Sequence, residues 1–203
     1  MKFYDSLGPN PHVVRMFAAE RGVKLDRVPV DIMKGENRQA PYLAKNPAGQ
    51  LPCLELDDGT FISEITAICE YLDETAPGTR LLGATPEERA RNRMWTRRVD
   101  LGICEPLTTG FRFSQGLDMF KSRMLVRPEA ADGLKAMAQD KIKWLDGQLA
   151  GKQFICGAAP GLADIMLFCF LSFGANVGQP LNQDNKNVVA WFERMKSRPS
   201  AAA

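Results

Sequence analysis

From Asn46 to Glu64 the chain reads Asn-Pro-Ala-Gly-Gln-Leu-Pro-Cys-Leu-Glu-Leu-Asp-Asp-Gly-Thr-Phe-Ile-Ser-Glu, and no other stretch narrows the choice of fold so far. Asp57-Asp58-Gly59 is a hairpin turn signal between the short strands 53–56 and 60–63. Pro52 has no N–H to give to a ladder and is tolerated only at the first residue of its strand. An X–Pro bond reaches the cis form for about 0.5–1 kcal/mol. A cis Leu51–Pro52 bond would turn the Leu51 backbone outward, leaving its N–H and C=O for an extended ligand. Ser63-Glu64-Ile65-Thr66 then opens a helix with an acid near its first turn, which on its own is ordinary helix capping.

The flanking residues supply the rest of an α/β unit. Lys2 to Asp5 reads as a strand. Pro9-Asn10-Pro11 opens an amphipathic helix with Val13, Val14, Phe17 and Ala18 on its apolar face, ending at Gly22. Arg27 to Val30 is a second strand, Pro41 to Asn46 a short helix, and Glu64 to about Glu74 a longer one. The resulting β-α-β-α-β-β-α order over residues 1–75 resembles a thioredoxin-like domain. Residues 76–84 are rich in breakers and read as a linker. Thr85-Pro86-Glu87-Glu88 is a capping box with proline at the first helical position, and residues 85–203 read as all α. Leu134, Met137, Ala138, Ile142, Leu145 and Leu149 recur at helical spacing. An apolar helix spans 165–173, and a last one runs from Asn187 to Lys196. Ala201-Ala202-Ala203 is expected to fray.

Composition excludes several classes. With 203 residues and 45% hydrophobic content the chain can bury a sizeable core. Its longest apolar run, Ile165 to Phe173, is about half the length needed to cross a bilayer. The charged start Met1-Lys2-Phe3-Tyr4-Asp5 does not suit a signal peptide, so the expected location is cytoplasmic. The five cysteines form an odd set with no Cys-x-x-Cys pair, and His12 is the single histidine. Disulfide, zinc and histidine-based metal chemistry are therefore not expected, and a net charge of +2 does not point to nucleic acid.

The Asn-Pro-x-Gly-x-Leu-Pro segment, the Asp-Gly turn, Glu64 and the following Ala-Ile-x-x-Tyr-Leu helix resemble the glutathione transferase family, and the likeness extends through nearly the whole chain. The resemblance implies a thioredoxin-like N-terminal domain and an all-α C-terminal domain. It also implies glutathione as co-substrate, no metal, and a homodimer. Leu51, before Pro52, would pair through its backbone with the cysteinyl part of glutathione. Glu64 would hold the γ-glutamyl ammonium, and Gln50 and Arg38 would reach the glycyl carboxylate. Ile65 departs from the family, which carries Ser or Thr there to bind the γ-glutamyl carboxylate; backbone N–H groups at a helix start can bind a carboxylate unaided, and Thr66 is an alternative hydroxyl. Near Asp164 the family has a Ser/Thr-x-x-Asp capping box, and Gly161 replaces its hydroxyl residue.

A glutathione thiol titrates near 8.5, so such an enzyme must stabilise the thiolate. The family does so with a donor at the end of the first strand or the start of the first helix, where the helix N-terminus adds a favourable field. Here the candidates are Ser6 and Asn10, with Asn10 placed first; read without the family, they are a loop hydroxyl and a helix cap. Tyr4 belongs to the strand, His12 is read as an interfacial side chain, with contact to the glycyl carboxylate or the second substrate as the alternative, and Cys53 is a buried strand residue. The second-substrate pocket is assigned to Leu107, Thr108, Phe111 and Phe113. Arg89, Arg93 and Arg97 form a stripe that is either a solvated face or a subunit contact. The expected activity is attack of glutathione thiolate on a small apolar electrophile, as in detoxification. Two alternatives stand beside it: a glutathione-dependent lyase, ether-cleaving enzyme, isomerase or peroxidase on the same fold, or a non-catalytic glutathione-binding scaffold.

Overall fold

A computed structural model describes residues 1–203, which divide into two compact units: Met1–Ala84 together with Pro199–Ala203, and Thr85–Arg198. The first is built on a four-stranded sheet in the order β2-β1-β3-β4. Its strands are β1 (Lys2–Asp5), β2 (Asp26–Pro29), β3 (Cys53–Glu55) and β4 (Phe61–Ser63), joined with α1 (Pro9–Glu20), α2 (Ala40–Leu43) and α3 (Ile65–Thr75). β2 lies parallel to β1, whereas β3 and β4 run antiparallel to their neighbours. Alternation along the strands assigns the faces. Phe3 and Leu54 are fully buried, as are Val13, Val14 and Phe17 of α1 and Ile68 of α3. Tyr4 and Cys53 point the other way and cluster with Val30 and Tyr42 of α2.

The hairpin forms as its turn residues dictate: Gly59 takes φ 86°, and Leu56 N–H bonds the Thr60 carbonyl at 2.8 Å. Strand and helix ends differ from the sequence reading by up to three residues. The short α2 ends at Leu43, and turns continue beyond it, with Asn46 N–H on the Tyr42 carbonyl at 3.0 Å. The linker is pinned rather than loose. Arg21, at the end of α1, donates to the carbonyls of Thr79 (2.6 Å) and Ala76 (2.9 Å). Its Nε lies 2.8 Å from the Asp73 carboxylate, with both side chains almost wholly buried, although the N–H direction misses the oxygen. Asp73 in turn accepts from Leu81 and Leu82 N–H.

The expectation of a fraying C-terminus, and the assignment of 199–203 to the helical domain, are corrected. Pro199–Ala202 form a 3-10 turn that belongs to the first unit. It is held on α1 by His12 Nε2 to Ala201 O (3.2 Å), Arg15 Nε to Ala203 O (3.1 Å) and a short hydrogen bond from Ser200 to Glu20. Neighbouring alanines gave no sign of contacts made by their backbone.

The second unit is helical: α4 (Pro86–Val99), α5 (Glu105–Arg112), α6 (Leu117–Phe120), α7 (Ala131–Leu149), α8 (Leu162–Asn176) and α9 (Lys186–Lys196). The capping box of α4 is complete, with Glu88 N–H on Thr85 Oγ1 at 3.2 Å and Thr85 N–H on Glu88 Oε2 at 3.1 Å. Between α4 and α5 the chain continues as a π-turn, Asp100–Cys104. Pro106 offers no N–H to the helical ladder, and the wider turn lets the chain pass it without a break. α8 is the buried centre, apolar on nearly all sides from Leu162 to Leu171. At its start the Asp164 carboxylate accepts from Ile155 N–H (2.9 Å), Gly161 N–H (3.0 Å) and Trp191 Nε1 (2.8 Å). No helix is long and apolar enough to cross a membrane.

Candidate functional site

The register of the sheet brings the candidate residues of the first unit to one edge. Ser63 pairs with Cys53, and Cys53 with Tyr4, so the next residues along the chain leave the sheet at the same end: Glu64 beyond β4, Leu51–Pro52 before β3, and Ser6 beyond β1. The helices α1 and α3 begin there too. Neighbouring strands lie about 4.8 Å apart, so the three strand ends span about 10 Å, the length of an extended tripeptide.

The Leu51–Pro52 peptide is cis. Leu51 is half-buried, lies outside β3 and makes no backbone hydrogen bond within the protein. The loop before it is fixed from behind: the Gln50 carbonyl accepts from Tyr42 Oη (2.6 Å) and Asn46 Nδ2 (2.8 Å), and the Gly49 carbonyl accepts from Asn37 Nδ2 (2.6 Å). Gly49, at φ 62°, leaves no room for a side chain, since a Cβ there would meet Asn37 O at 3.0 Å and Arg38 Nη1 at 3.2 Å. Arg38 is thus placed against Gly49 and beside Gln50, both side chains exposed. Tyr42, Asn46 and Asn37 were not singled out from sequence. Asn46 could have been, because Asn before Pro favours a side-chain turn, and its Oδ1 does accept Ala48 N–H at 3.2 Å.

Glu64 is the N-cap of α3 with φ 71° and ψ 125°, and it is the chain's non-glycine residue at positive φ. Its exposed carboxylate makes no capping bond. Strain of this kind gathers at sites where geometry matters. Ile65 and Thr66 follow it, both half-buried at the start of α3.

The two thiol-donor candidates differ in commitment. Ser6 Oγ donates to the Val30 carbonyl at 2.6 Å. Asn10 is the second residue of α1, behind Gly8 as N-cap and Pro9; it is therefore no cap, and its half-buried amide makes no side-chain hydrogen bond within the protein. Tyr4 Oη is spent on Glu55 Oε2 at 2.6 Å, and burial together with that carboxylate pushes its phenol up to about 12. His12 turns to the C-terminal segment, and burial lowers its pKa. Burial pushes the Cys53 thiol up to about 11, which leaves it protonated and unreactive at neutral pH.

Of the residues assigned to a second pocket, Leu107 is fully buried in the helical unit, and the Thr108 hydroxyl is spent on the Cys104 carbonyl at 2.8 Å. Phe111 and Phe113 keep exposed surface. The Phe111 ring stands edge-on to Phe173 and Phe120, with centroids 5.1 and 6.1 Å away. Leu107 and Thr108 occupy the inward side of α5 because its apolar stripe serves the core first.

Known proteins bear out the likeness. The family model described as Glutathione S-transferase, N-terminal domain, matches residues 7–75, and that described as Glutathione S-transferase, C-terminal domain, matches residues 128–194. Glutathione S-transferase 2 of Saccharomyces cerevisiae is 32% identical over an alignment covering 98% of this chain and 87% of its own length. Maleylacetoacetate isomerase of Pseudomonas aeruginosa is 35% identical over 76% of this chain and 71% of its own. The crystal structure of a glutathione S-transferase domain-containing protein from Marinobacter aquaeolei superposes with a TM-score of 0.93 at 36% identity, covering 99% of this chain and 100% of that one.

Proposed function

This chain belongs to the glutathione S-transferase family of enzymes, and from that premise we propose that it binds glutathione along the sheet edge and activates its thiol for attack on a small apolar electrophile. The observation that carries the reading is the shared edge itself. A carboxylate at Glu64 just beyond β4, an unpaired backbone at Leu51 just before β3 and an uncommitted amide at Asn10 in the first turn of α1 lie where these elements end and begin at that edge. Their chemistry matches an ammonium, a peptide unit and a thiolate in that order.

In the proposed mechanism Glu64 takes the γ-glutamyl ammonium by a charge-assisted bond. Leu51 N–H and C=O pair with the cysteinyl backbone, and Arg38 and Gln50 attract the glycyl carboxylate. The Ile65 N–H at the start of α3, with the Thr66 hydroxyl, serves the γ-glutamyl carboxylate. Asn10 donates its amide N–H to the thiolate. It leads Ser6 because a thiolate needs a donor, and the Ser6 proton is already placed on Val30. Catalysis then consists of keeping the sulfur anionic and holding the electrophile beside it. Association as a homodimer and a cytoplasmic location belong to the same proposal. A second reading keeps the glutathione site and changes the reaction to isomerisation, as the name of the Pseudomonas relative suggests.

The test is ultraviolet titration of bound glutathione. One charge-assisted bond contributes about 1.5–3 kcal/mol, or about 1–2 units of thiol pKa, so Asn10→Ala should raise the bound pKa by that amount and Ser6→Ala by less. A larger rise in Ser6→Ala reverses the roles. No rise in either variant refutes activation by these side chains and leaves a binding scaffold.

A further inference from the structure

We infer that Arg15 is a positioning residue for thiol activation, tying the loop between β1 and α1 to the buried end of the sheet and to the C-terminal turn. The inference rests on the glutathione reading above. Arg15 lies on α1, five residues beyond Asn10. Its Nη1 donates to Asp5 Oδ1 at 2.6 Å and reaches the Ser6 carbonyl at 3.5 Å, while Nε donates to the Ala203 carbonyl at 3.1 Å. Asp5 ends β1 and is only 5% exposed, and the same Oδ1 accepts Ser6 N–H at 2.9 Å. One guanidinium therefore joins the strand end, the first helix and residues 199–203, all within the first unit.

The loop it braces has little else to hold it. Leu7 is 74% exposed, and Gly8, at φ 111°, has open space where a side chain would stand. Ser6 Oγ on Val30 is the other fixed point. The apolar face of α1 sets the distance of the helix from the sheet, but apolar contact is non-directional. The Asp5–Arg15 pair is directional and fixes how far Asn10 stands beyond the strand end. A misplacement of about 1 Å at a reacting group can cost about 10²-fold in rate. Because Asp5 compensates its charge at contact distance, Arg15 acts by geometry rather than by field at the sulfur. Arg27 supplies a matched control. It binds the other oxygen of Asp5 (Nε 2.7 Å, Nη2 2.6 Å) from an exposed position on β2, and its contacts include neither Ser6 nor the C-terminal turn.

The experiment titrates bound glutathione by ultraviolet absorbance and measures kcat and KM in the full-length wild type, Arg15→Gln, Arg15→Lys and Arg27→Gln. Arg15→Gln should raise the bound thiol pKa by about one unit, lowering kcat about tenfold below the wild-type pKa, with the glutathione KM nearly unchanged because Glu64 and Leu51 are held by other elements. Arg15→Lys keeps the charge but cannot reach all three partners at once, and should also raise the pKa. Arg27→Gln should lower Tm without moving it. An unmoved pKa in Arg15→Gln, full recovery in Arg15→Lys, or an equal shift in Arg27→Gln overturns the inference. If Arg15→Gln does not fold, Arg15→Lys decides between the same outcomes. A wild-type thiol that titrates like free glutathione overturns the functional reading itself, a result distinct from a depressed wild-type value that Arg15 variants leave in place.

Discussion

Glu64 should be a residue that function holds in place against stability, and the conflict can be measured. At φ 71° and ψ 125° its backbone occupies a region that suits glycine, at a cost of about 1–3 kcal/mol. Glu64→Gly removes that strain but adds flexibility to the unfolded chain, a loss of about 0.4–1 kcal/mol, so a net gain of about 1 kcal/mol is expected. Glu64→Ala keeps the strain and should gain nothing. Both variants remove the carboxylate, and losing a charge-assisted bond worth about 1.5–3 kcal/mol should weaken glutathione binding about 10- to 150-fold. Denaturant unfolding of the two variants beside wild type, with calorimetric titration of glutathione, separates the effects. If Glu64→Gly is no more stable than Glu64→Ala, the backbone stores no strain there. If either variant binds glutathione as wild type does, the carboxylate does not hold the ligand.

Asp73→Ala should cost about 3–5 kcal/mol, because it leaves the buried Arg21 without its carboxylate and the N–H groups of Leu81 and Leu82 without acceptors; a loss under about 1 kcal/mol in guanidinium unfolding would show that the linker is not anchored there. Burial outweighs the three donors to Asp164 and raises its carboxyl to about 6, above about 3.9 in the unfolded chain. The folded state then holds the proton longer, and the stability this group contributes is lost as pH rises from about 4 to about 6. The stability of wild type relative to Asp164→Asn should therefore fall by up to about 3 kcal/mol across that range, whereas a widening advantage would reverse the sign. Burial also pushes the Cys156 thiol up to about 12 and that of Cys104 well above its ordinary value, so a thiol-disulfide reagent at neutral pH should modify the native protein slowly, and fast labelling of either cysteine would contradict this.

The elements were legible where local chemistry decides them. Asp57-Asp58-Gly59 announced the hairpin because glycine alone takes positive φ freely, and Thr85-Pro86-Glu87-Glu88 announced α4 because cap and backbone satisfy one another within one turn. Leu51-Pro52 could be singled out because proline at a strand entrance limits what the backbone can do, whereas Glu64 stood out only through the family resemblance, an acid before a helix being ordinary capping on its own. Leu107 and Thr108 were less legible, since helical spacing marks an apolar stripe without saying whether it faces a pocket or the core.

Tertiary structure decided the contacts whose partners lie far apart along the chain. The commitment of Ser6 to Val30 depends on how β1 meets the residues after β2, and that bond separates Ser6 from Asn10 as donors. Glu64 was visible as a candidate, but its left-handed backbone follows from joining β4 to α3 at a fixed angle, which no residue preference for glutamate predicts. Arg21 and Asp73, His12 and Ala201, and Arg15 with Asp5 and Ala203 are ordinary residues in sequence. They acquire meaning only when the chain returns to bury or bond them, because a charge or a backbone carbonyl carries no mark of the partner that folding will bring to it.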